Sequence, residues 1–144
     1  MQTFIFPVIL TPEKDSGGFV VKFVDFPEAI TQGENIEDAL EKAADCLEEA
    51  VANRMVMNLD IPNPTSTKNY DYTVVLPTQM AAKAALYIAI KEMGISKMEL
   101  AKKINCDEKE IRRLLDPRHA SKIPRIEAVL AKLGNQLILS YNRK

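Results

Sequence analysis

The sequence is poor in the residue types from which disulfide frameworks, metal centres and nucleophilic active sites are built. Its 144 residues include two cysteines, Cys46 and Cys106, and a single histidine, His119. The two thiols lie far apart without metal-ligating partners, which favours core thiols in a reducing cytoplasm over a disulfide framework or a zinc site. His119 has no evident nucleophile-and-orienter arrangement, so a phosphate contact or a surface role explains it better than catalysis.

Long apolar runs are also missing. No stretch approaches the roughly 20 residues of a membrane-spanning helix, and the N-terminus lacks a secretory pattern. No phosphate cradle or cofactor motif is present either, so we expect a cytoplasmic protein with no membrane contact, no cofactor and no enzymatic activity. The 144 residues allow one domain or two small ones, and 47% hydrophobic residues are enough for a real core.

The net charge of −1 conceals two oppositely charged halves. Residues 1–78 hold 5 Lys and Arg against 13 Asp and Glu, a net charge of −8, whereas residues 79–144 hold 14 against 7, a net charge of +7. A basic half is typical of a nucleic-acid partner, and an acidic half fits a basic protein partner. The charge pattern therefore predicts two separate binding functions, although two solvated surfaces of unlike charge remain the plainer alternative.

Residues 1–77 are predicted to form a small α+β domain of order β-β-β-α-β. The helix begins after Asn35, a favourable capping residue, and its apolar stripe needs a sheet to cover. Pro7 within the first strand predicts an edge position or a bulge. Strands are expected at residues 3–11, 18–24, 29–32 and 72–76.

Residues 78–144 are predicted to form a helical domain with a C-terminal strand. Thr78 can cap a helix over residues 80–93 whose apolar residues surround most of its circumference, which suits burial both in the domain and against a second subunit. Pro124 and Gly134 bound the last helix. The segment QLILSY, residues 136–141, predicts a terminal strand that pairs with its copy in a homodimer or a higher oligomer.

The stretch KMELAKKINCDEKEIRRLL, residues 97–115, carries the most specific pattern. Its apolar spacing predicts two short helices, with Asn105 in a left-handed turn and Asp107 capping the second helix. Small Ala101, the turn residue four positions later, and Ile111 and Leu114 resemble the helix-turn-helix of the Cro/repressor class. The turn position usually holds Gly in that class, and here it holds Asn105.

The resemblance implies that the second of these helices recognises DNA. With its apolar residues inward, helical geometry turns long basic side chains outward, where they can reach base edges and phosphates in the major groove. A basic loop follows at residues 117–122. A solvated helix face of mixed charge is the plainer alternative. The candidate DNA-binding residues are Lys97, Glu108, Lys109, Arg112, Arg113, Arg118 and Lys122.

Two further segments are similar to the signature of HicB-type antitoxins. They are GGFVVKFVDFPEAITQG, residues 17–33, and ENIEDALEKAADCLEEAV, residues 34–51. Together they supply a Gly-Gly hairpin, an Asp-x-Pro turn, a Thr-x-Gly and an acidic helix, upstream of the helix-turn-helix that many such proteins carry. In FVDFPEA the family more often has Pro before the Asp and Gly after the Pro.

This resemblance implies a toxin–antitoxin system. The N-terminal domain would have a degenerate ribonuclease-H-like fold and block a small basic HicA-type toxin that cleaves mRNA, and the C-terminal domain would repress its own operon by binding operator DNA. The acidic helix and the turn after the second strand are the candidate toxin-binding elements, and a simple strand-ending turn is an equal alternative. The turn comprises Asp25, Phe26, Pro27 and Glu28.

Two other functions fit parts of the sequence. A ribonuclease-H-like strand order suggests a nuclease, but that chemistry needs several carboxylates converging on metal ions, and the aspartates here are scattered over turns, a helix and a loop. The other alternative is a stand-alone helix-turn-helix repressor whose N-terminal domain senses a ligand. Binding of a small basic protein separates the antitoxin from both.

Overall fold

Four strands and one long helix make up the first half of the computed structural model, which describes residues 1–143. The strands form one antiparallel sheet in the order β3-β2-β1-β4. This confirms the predicted succession β-β-β-α-β and the mixed α+β class. The elements are β1 (Ile5–Pro12), β2 (Phe19–Phe23), β3 (Ile30–Gly33), α1 (Ile36–Val56), a short 3-10 helix (Thr67–Asn69) and β4 (Tyr72–Val75).

One face of the sheet packs on α1 and forms the core of this half. Strand residues alternate between the two faces of a sheet, and the side chains of Phe6, Val8, Val21, Phe23 and Val74 are buried. The apolar stripe of α1 is confirmed, because its buried residues recur at helical spacing. They are Ala39, Ala43, Leu47, Ala50, Val51, Ala52 and Met55.

The passage from β3 into α1 is fixed by local contacts. Asn35 caps the helix, since its side-chain oxygen accepts a hydrogen bond from the backbone N–H of Asp38 at 2.8 Å. In return, the Asp38 carboxylate accepts from the backbone N–H of Glu34 at 2.9 Å, which lowers the pKa of Asp38. A Cβ on Gly33 would lie 2.8 Å from the Ala39 Cβ and closer still to the Ala39 backbone. The strand and the helix can therefore approach this closely only with Gly33 between them.

The position of Pro7 corrects the prediction of an edge strand. β1 lies between β2 and β4 and is an inner strand, with Pro7 opposite Thr73 of β4. The carbonyl of Pro7 accepts from the backbone N–H of Val24 at 3.3 Å, and the β1–β2 pairing begins only at Val8. The N–H that proline lacks would thus point to the side where β2 has ended, so an inner strand tolerates it.

The chain divides into two compact units, residues 1–81 and the residues from Ala82 on. The sequence placed the boundary between residues 77 and 78. The second unit contains helices separated by short connections, with Gly94, Asn105 and Gly134 in left-handed backbone conformations. Its elements begin with a helix that starts in the first unit: α2 (Thr78–Met93), α3 (Lys97–Lys103), α4 (Glu108–Leu115) and α5 (Ile123–Lys132).

Residues 136–141, which are predicted to form a strand by pairing with a second copy of the chain, do not form one in the single chain. These residues have no regular secondary structure, because no strand among the described residues pairs with them and a strand needs a partner for its backbone groups. Ile138, Leu139 and Tyr141 are 62%, 89% and 88% exposed.

Within residues 1–143, no helix is both long and apolar enough to span a membrane. Over the same residues, no group of three or more His, Cys, Asp or Glu side chains lies together in a way that could hold a metal ion. Both cysteines are half-buried free thiols rather than core residues. Burial raises the pKa of each thiol.

Candidate functional site

Helices α3 and α4 are joined by a sharp turn whose geometry follows from three polar residues. Ser96 caps α3 by accepting from the backbone N–H of Glu99 at 3.1 Å. Asn105 adopts φ +53°, the left-handed conformation that the sequence predicted for it. Asp107 then caps α4 by accepting from the backbone N–H of Lys109 at 3.0 Å. The two short helices and the turn predicted at residues 97–115 are thus present, and each helix begins at a capping side chain.

Helix α4 separates apolar and basic side chains onto different faces. Ile111, Leu114 and Leu115 are buried, as their spacing predicted. The side chains between them are exposed, and the Arg112 side chain keeps 66% of its accessible surface. The exposed basic residues of this helix are Lys109, Arg112 and Arg113.

Carboxylates on and beside α4 are engaged within the protein. Glu108 accepts from Arg112 at 2.8 Å, one helical turn away. Glu110 forms a two-bond ion pair with Arg125 of α5, and the hydrogen bond from Arg125 lowers the pKa of Glu110 to about 2. The carboxylate of Asp116 accepts from the backbone N–H of Arg118 at 2.9 Å. The two ion pairs reduce the repulsion that Glu108 and Glu110 would exert on a phosphate.

The remaining candidate DNA-binding residues are exposed on the flanking segments. Lys97 is the first residue of α3. Arg118 lies in the loop after α4, and Lys122 is the N-cap residue of α5. His119, in the same loop, is exposed with Nδ1 3.3 Å from the Ser121 hydroxyl. The α4 face and this loop, residues 108–122, are called the basic segment below.

Sequence reasoning missed Lys83, a residue of α2 whose buried side chain hydrogen-bonds to the basic segment. Its side chain is fully buried, at 0% exposure. The amine donates to the carbonyls of Arg113, Leu114 and Asp116 at 3.0, 3.2 and 2.8 Å and to the Ser121 hydroxyl at 3.0 Å. Burial lowers the pKa of Lys83, and the charge of Asp116 opposes that effect. The only signal in the sequence is that Lys83 is flanked by apolar residues on both sides, from Met80 to Ile90.

The turn proposed to contact a toxin is built around a buried ring. Phe26 is fully buried, with its ring 5.1 Å from that of Phe6 and the Arg54 guanidinium 4.8 Å from its centre. Glu28 accepts two hydrogen bonds from Arg54, at 2.7 and 2.9 Å, and these lower the pKa of Glu28. Phe26 therefore offers no surface to a partner.

The other residues of the turn are more accessible. Pro27 is exposed, and Glu28 keeps 43% of its side-chain surface despite its ion pair. Asp25 is half-buried, and its carboxylate accepts from the backbone N–H and the hydroxyl of Thr65 at 2.9 and 2.5 Å. These bonds tie the long loop between α1 and β4 to the turn. The turn thus has a structural role, and its accessible surface narrows to Asp25, Pro27 and Glu28.

The outer face of α1 carries a row of acidic side chains. Its carboxylates recur at helical spacing opposite the buried stripe, as the sequence predicted. Asp38, at the start of the row, forms an ion pair with Lys42 at 3.2 Å. The exposed members of the row are Glu34, Glu37, Glu41, Asp45 and Glu49.

The class of protein follows from comparison with known families. Residues 5–85, which cover the sheet, α1 and the start of α2, match the model of the HicB-like antitoxin of bacterial toxin–antitoxin systems. The chain belongs to the HicB-like antitoxin family.

Individual relatives extend the match over nearly the whole chain. "Antitoxin HicB" of Escherichia coli (strain K12) is 38% identical over 134 residues, 93% of this chain and 96% of the relative. "Antitoxin HicB 1" of Photorhabdus laumondii is 37% identical over 135 residues, 94% of this chain and 85% of the relative. "Antitoxin HicB" of Pseudomonas fluorescens (strain Pf0-1) is 31% identical over 137 residues, 94% of each. The chain is therefore similar to these antitoxins in both of its units.

Proposed function

We propose that this protein is a non-enzymatic cytoplasmic antitoxin that binds and blocks a small HicA-type mRNA-cleaving toxin and represses its own operon by binding operator DNA. The DNA-binding part of this proposal rests on the separation of buried apolar and exposed basic side chains on α4. Its three large apolar residues are buried while Lys109, Arg112 and Arg113 are exposed on the same short helix.

A helix with this division suits the major groove. Arginine and lysine can donate to guanine edges, and the same side chains neutralise phosphates. The sharp turn at Asn105 and the two capped helices support a helix-turn-helix, with α4 as the recognition helix. Glu108 is paired with Arg112, so Lys109 and Arg113 are the exposed cations of α4 that lie outside this ion pair. Arg118 and Lys122 would add phosphate contacts from the loop.

A helix-turn-helix of this size reaches high affinity as a dimer that reads two half-sites. Residues 136–141 are the proposed means of pairing, because Ile138, Leu139 and Tyr141 are largely exposed in the single chain. An antiparallel strand pair across a two-fold axis would satisfy their backbone groups and cover part of this apolar surface. We therefore propose a homodimer, or a higher oligomer, formed through the second unit.

The acidic face of α1 supports a cationic partner for the first unit. Complementary charges accelerate the encounter of two proteins and select against partners of the wrong sign. The accessible part of the turn at Asp25, Pro27 and Glu28 lies in the same unit and is the second proposed contact. A small basic toxin fits both elements.

Two measurements on the wild-type protein test this function. The reading frame beside this gene is co-expressed with it, and a tag on the antitoxin is used to purify the complex. Binding to a fragment from upstream of the operon is measured over a range of salt concentrations, and log K should fall with log salt by about 0.9 for each phosphate neutralised.

We expect a small basic protein to copurify and the upstream fragment to bind with a steep salt dependence. DNA binding without a copurifying protein would favour the stand-alone repressor instead. Absence of both at low salt would contradict the proposal.

A further inference from the structure

The side chain of Lys83 is the least expected polar group in the second unit. A lysine is rarely buried unless its charge is matched, yet Lys83 is fully buried and its amine has four acceptors within 3.2 Å. An ammonium group has three N–H donors, so every donor is used and one is shared. The surrounding oxygens, three carbonyls and one hydroxyl, carry partial negative charge and offset the loss of water.

These acceptors are the end of α4 and the loop that follows it. The carbonyls of Arg113 and Leu114 belong to the last turn of α4, where helix carbonyls lack i+4 partners. The C-cap residue Asp116 donates its backbone N–H to the Arg113 carbonyl at 3.2 Å, and Lys83 adds a second donor there. A cation is favourable at this end of a helix because the helix dipole is negative there. Lys83 thus caps the C-terminal end of α4 with a buried ammonium group.

The same amine sets the course of the loop through Ser121. The Ser121 hydroxyl accepts from Lys83 and lies 3.3 Å from His119 Nδ1. The Asp116 carbonyl, which also accepts from Lys83, accepts from the backbone N–H of His119 at 3.1 Å. The beginning and the end of the loop that carries Arg118 are therefore held on one atom.

We propose that Lys83 is a positioning residue for DNA binding: without reaching the surface, it fixes the C-terminal end of α4 and the loop to Ser121 so that Arg113, Arg118 and Lys122 meet the phosphates together. This inference rests on the proposed DNA-binding function. Lys83 contributes through the placement of these cations and makes no contact with DNA itself.

The test compares Lys83→Met, which keeps an unbranched side chain without donors, with the wild-type full-length protein. Operator affinity and its salt dependence are measured at a temperature where circular dichroism shows each variant to be folded. We expect at least a tenfold loss of affinity and a shallower salt dependence, by about 0.9 in the log–log slope for each phosphate that the variant no longer neutralises. Val129→Ala, at a buried position of α5, is the matched control, because it weakens the same unit and should leave the slope unchanged.

A double-mutant cycle with Arg118→Ala separates positioning from general stability. In the wild-type background this change should weaken binding several-fold, and in the Lys83→Met background it should have little further effect. Should Lys83→Met not fold, Ser121→Ala replaces it in the cycle, since it removes the link between the amine and the end of the loop.

Wild-type affinity and slope in a folded Lys83→Met, or a full additional effect of Arg118→Ala, would overturn the positioning role. The double variant Arg112→Ala with Arg113→Ala distinguishes failure of this role from failure of the proposed function. If both Lys83→Met and the double variant bind the operator as the wild type does, the DNA-binding proposal itself is wrong. If Lys83→Met binds normally and the double variant does not, only the role of Lys83 is rejected.

Discussion

At the scale of single residues, most signals that act over a few positions are predicted correctly, although Thr78 is the first residue of α2 and not its cap. Asn35 and Asp107 were predicted to cap helices and do so, and Asn105 was predicted to be left-handed and has φ +53°. Each of these outcomes depends on backbone groups within about four residues of the side chain. Such local determinants are contained in the sequence itself.

The surroundings of Lys83 and Pro7 could not be predicted from their sequence neighbours. The partners of Lys83 lie 30 or more residues away, so no local pattern distinguishes it from a surface lysine. The tolerance of Pro7 within an inner strand depends on where β2 ends, which is a property of the sheet. Both outcomes are set by tertiary structure, and a single sequence gives no direct reading of them.

Gly33 gives the residue-scale prediction. Gly33→Ala would place a methyl group against the Ala39 backbone, and backbone cannot move aside as a flexible side chain can. Overpacking of this kind costs about 1–3 kcal/mol, so the urea midpoint of unfolding should fall clearly. Gln32→Ala, at the exposed neighbouring position, is the control and should change the midpoint little. Equal midpoints for the two variants would show that β3 and α1 are not held at this distance.

At the scale of elements, the sequence predicts the helices of both units and the four strands of the first unit. It does not predict the state of residues 136–141 in the single chain. Strands β1 to β4 were found because alternating apolar residues bounded by turns are a strong local signal. Residues 136–141 carry the same signal and are not a strand in the single chain. The residue types of a segment indicate that it can form a β-strand. The strand forms only where a second strand lies beside it to hydrogen-bond its backbone.

The contact between α4 and α5 gives the element-scale prediction. The pKa of Glu110 is about 2 in the folded protein against an ordinary value of 4.5, because Arg125 bonds its carboxylate. A carboxyl with a lowered folded pKa stabilises the protein above its unfolded pKa, and this contribution is lost as the pH falls from about 4.5 towards 2. Both partners are more than a third exposed, so the ion pair is worth less than about 1 kcal/mol.

Glu110→Gln tests this contribution through the free energy of unfolding in urea. The variant should be slightly less stable than the wild type at pH 7, and the difference should shrink as the pH falls below 4.5. Glu127→Gln, an exposed position on α5, is the control. A difference between Glu110→Gln and the wild type that grows at acid pH would contradict the assigned sign.

At the scale of the whole molecule, charge is the property that organises the proposed function. A net charge of −8 in residues 1–78 and of +7 in residues 79–144 follows from the sequence alone. The structure adds where part of that charge is displayed: acidic on the outer face of α1 and basic on the exposed face of α4. It also shows that Phe26 of the predicted toxin-binding turn is buried, which residue types could not reveal.

The central claim is that two separable activities reside in the two units of one chain. The most direct measurement follows both in the same cells, with growth during toxin expression reporting neutralisation and a promoter fusion reporting repression. The variant Arg112→Ala with Arg113→Ala removes two exposed cations of α4. The control, Lys14→Ala with Lys68→Ala, removes two exposed cations of the first unit.

We predict that the α4 variant loses repression and keeps full neutralisation, because its apolar core and the first unit are untouched, and that the control variant keeps repression. Repression at the wild-type level in the α4 variant, or loss of both activities in a folded protein, would contradict the account.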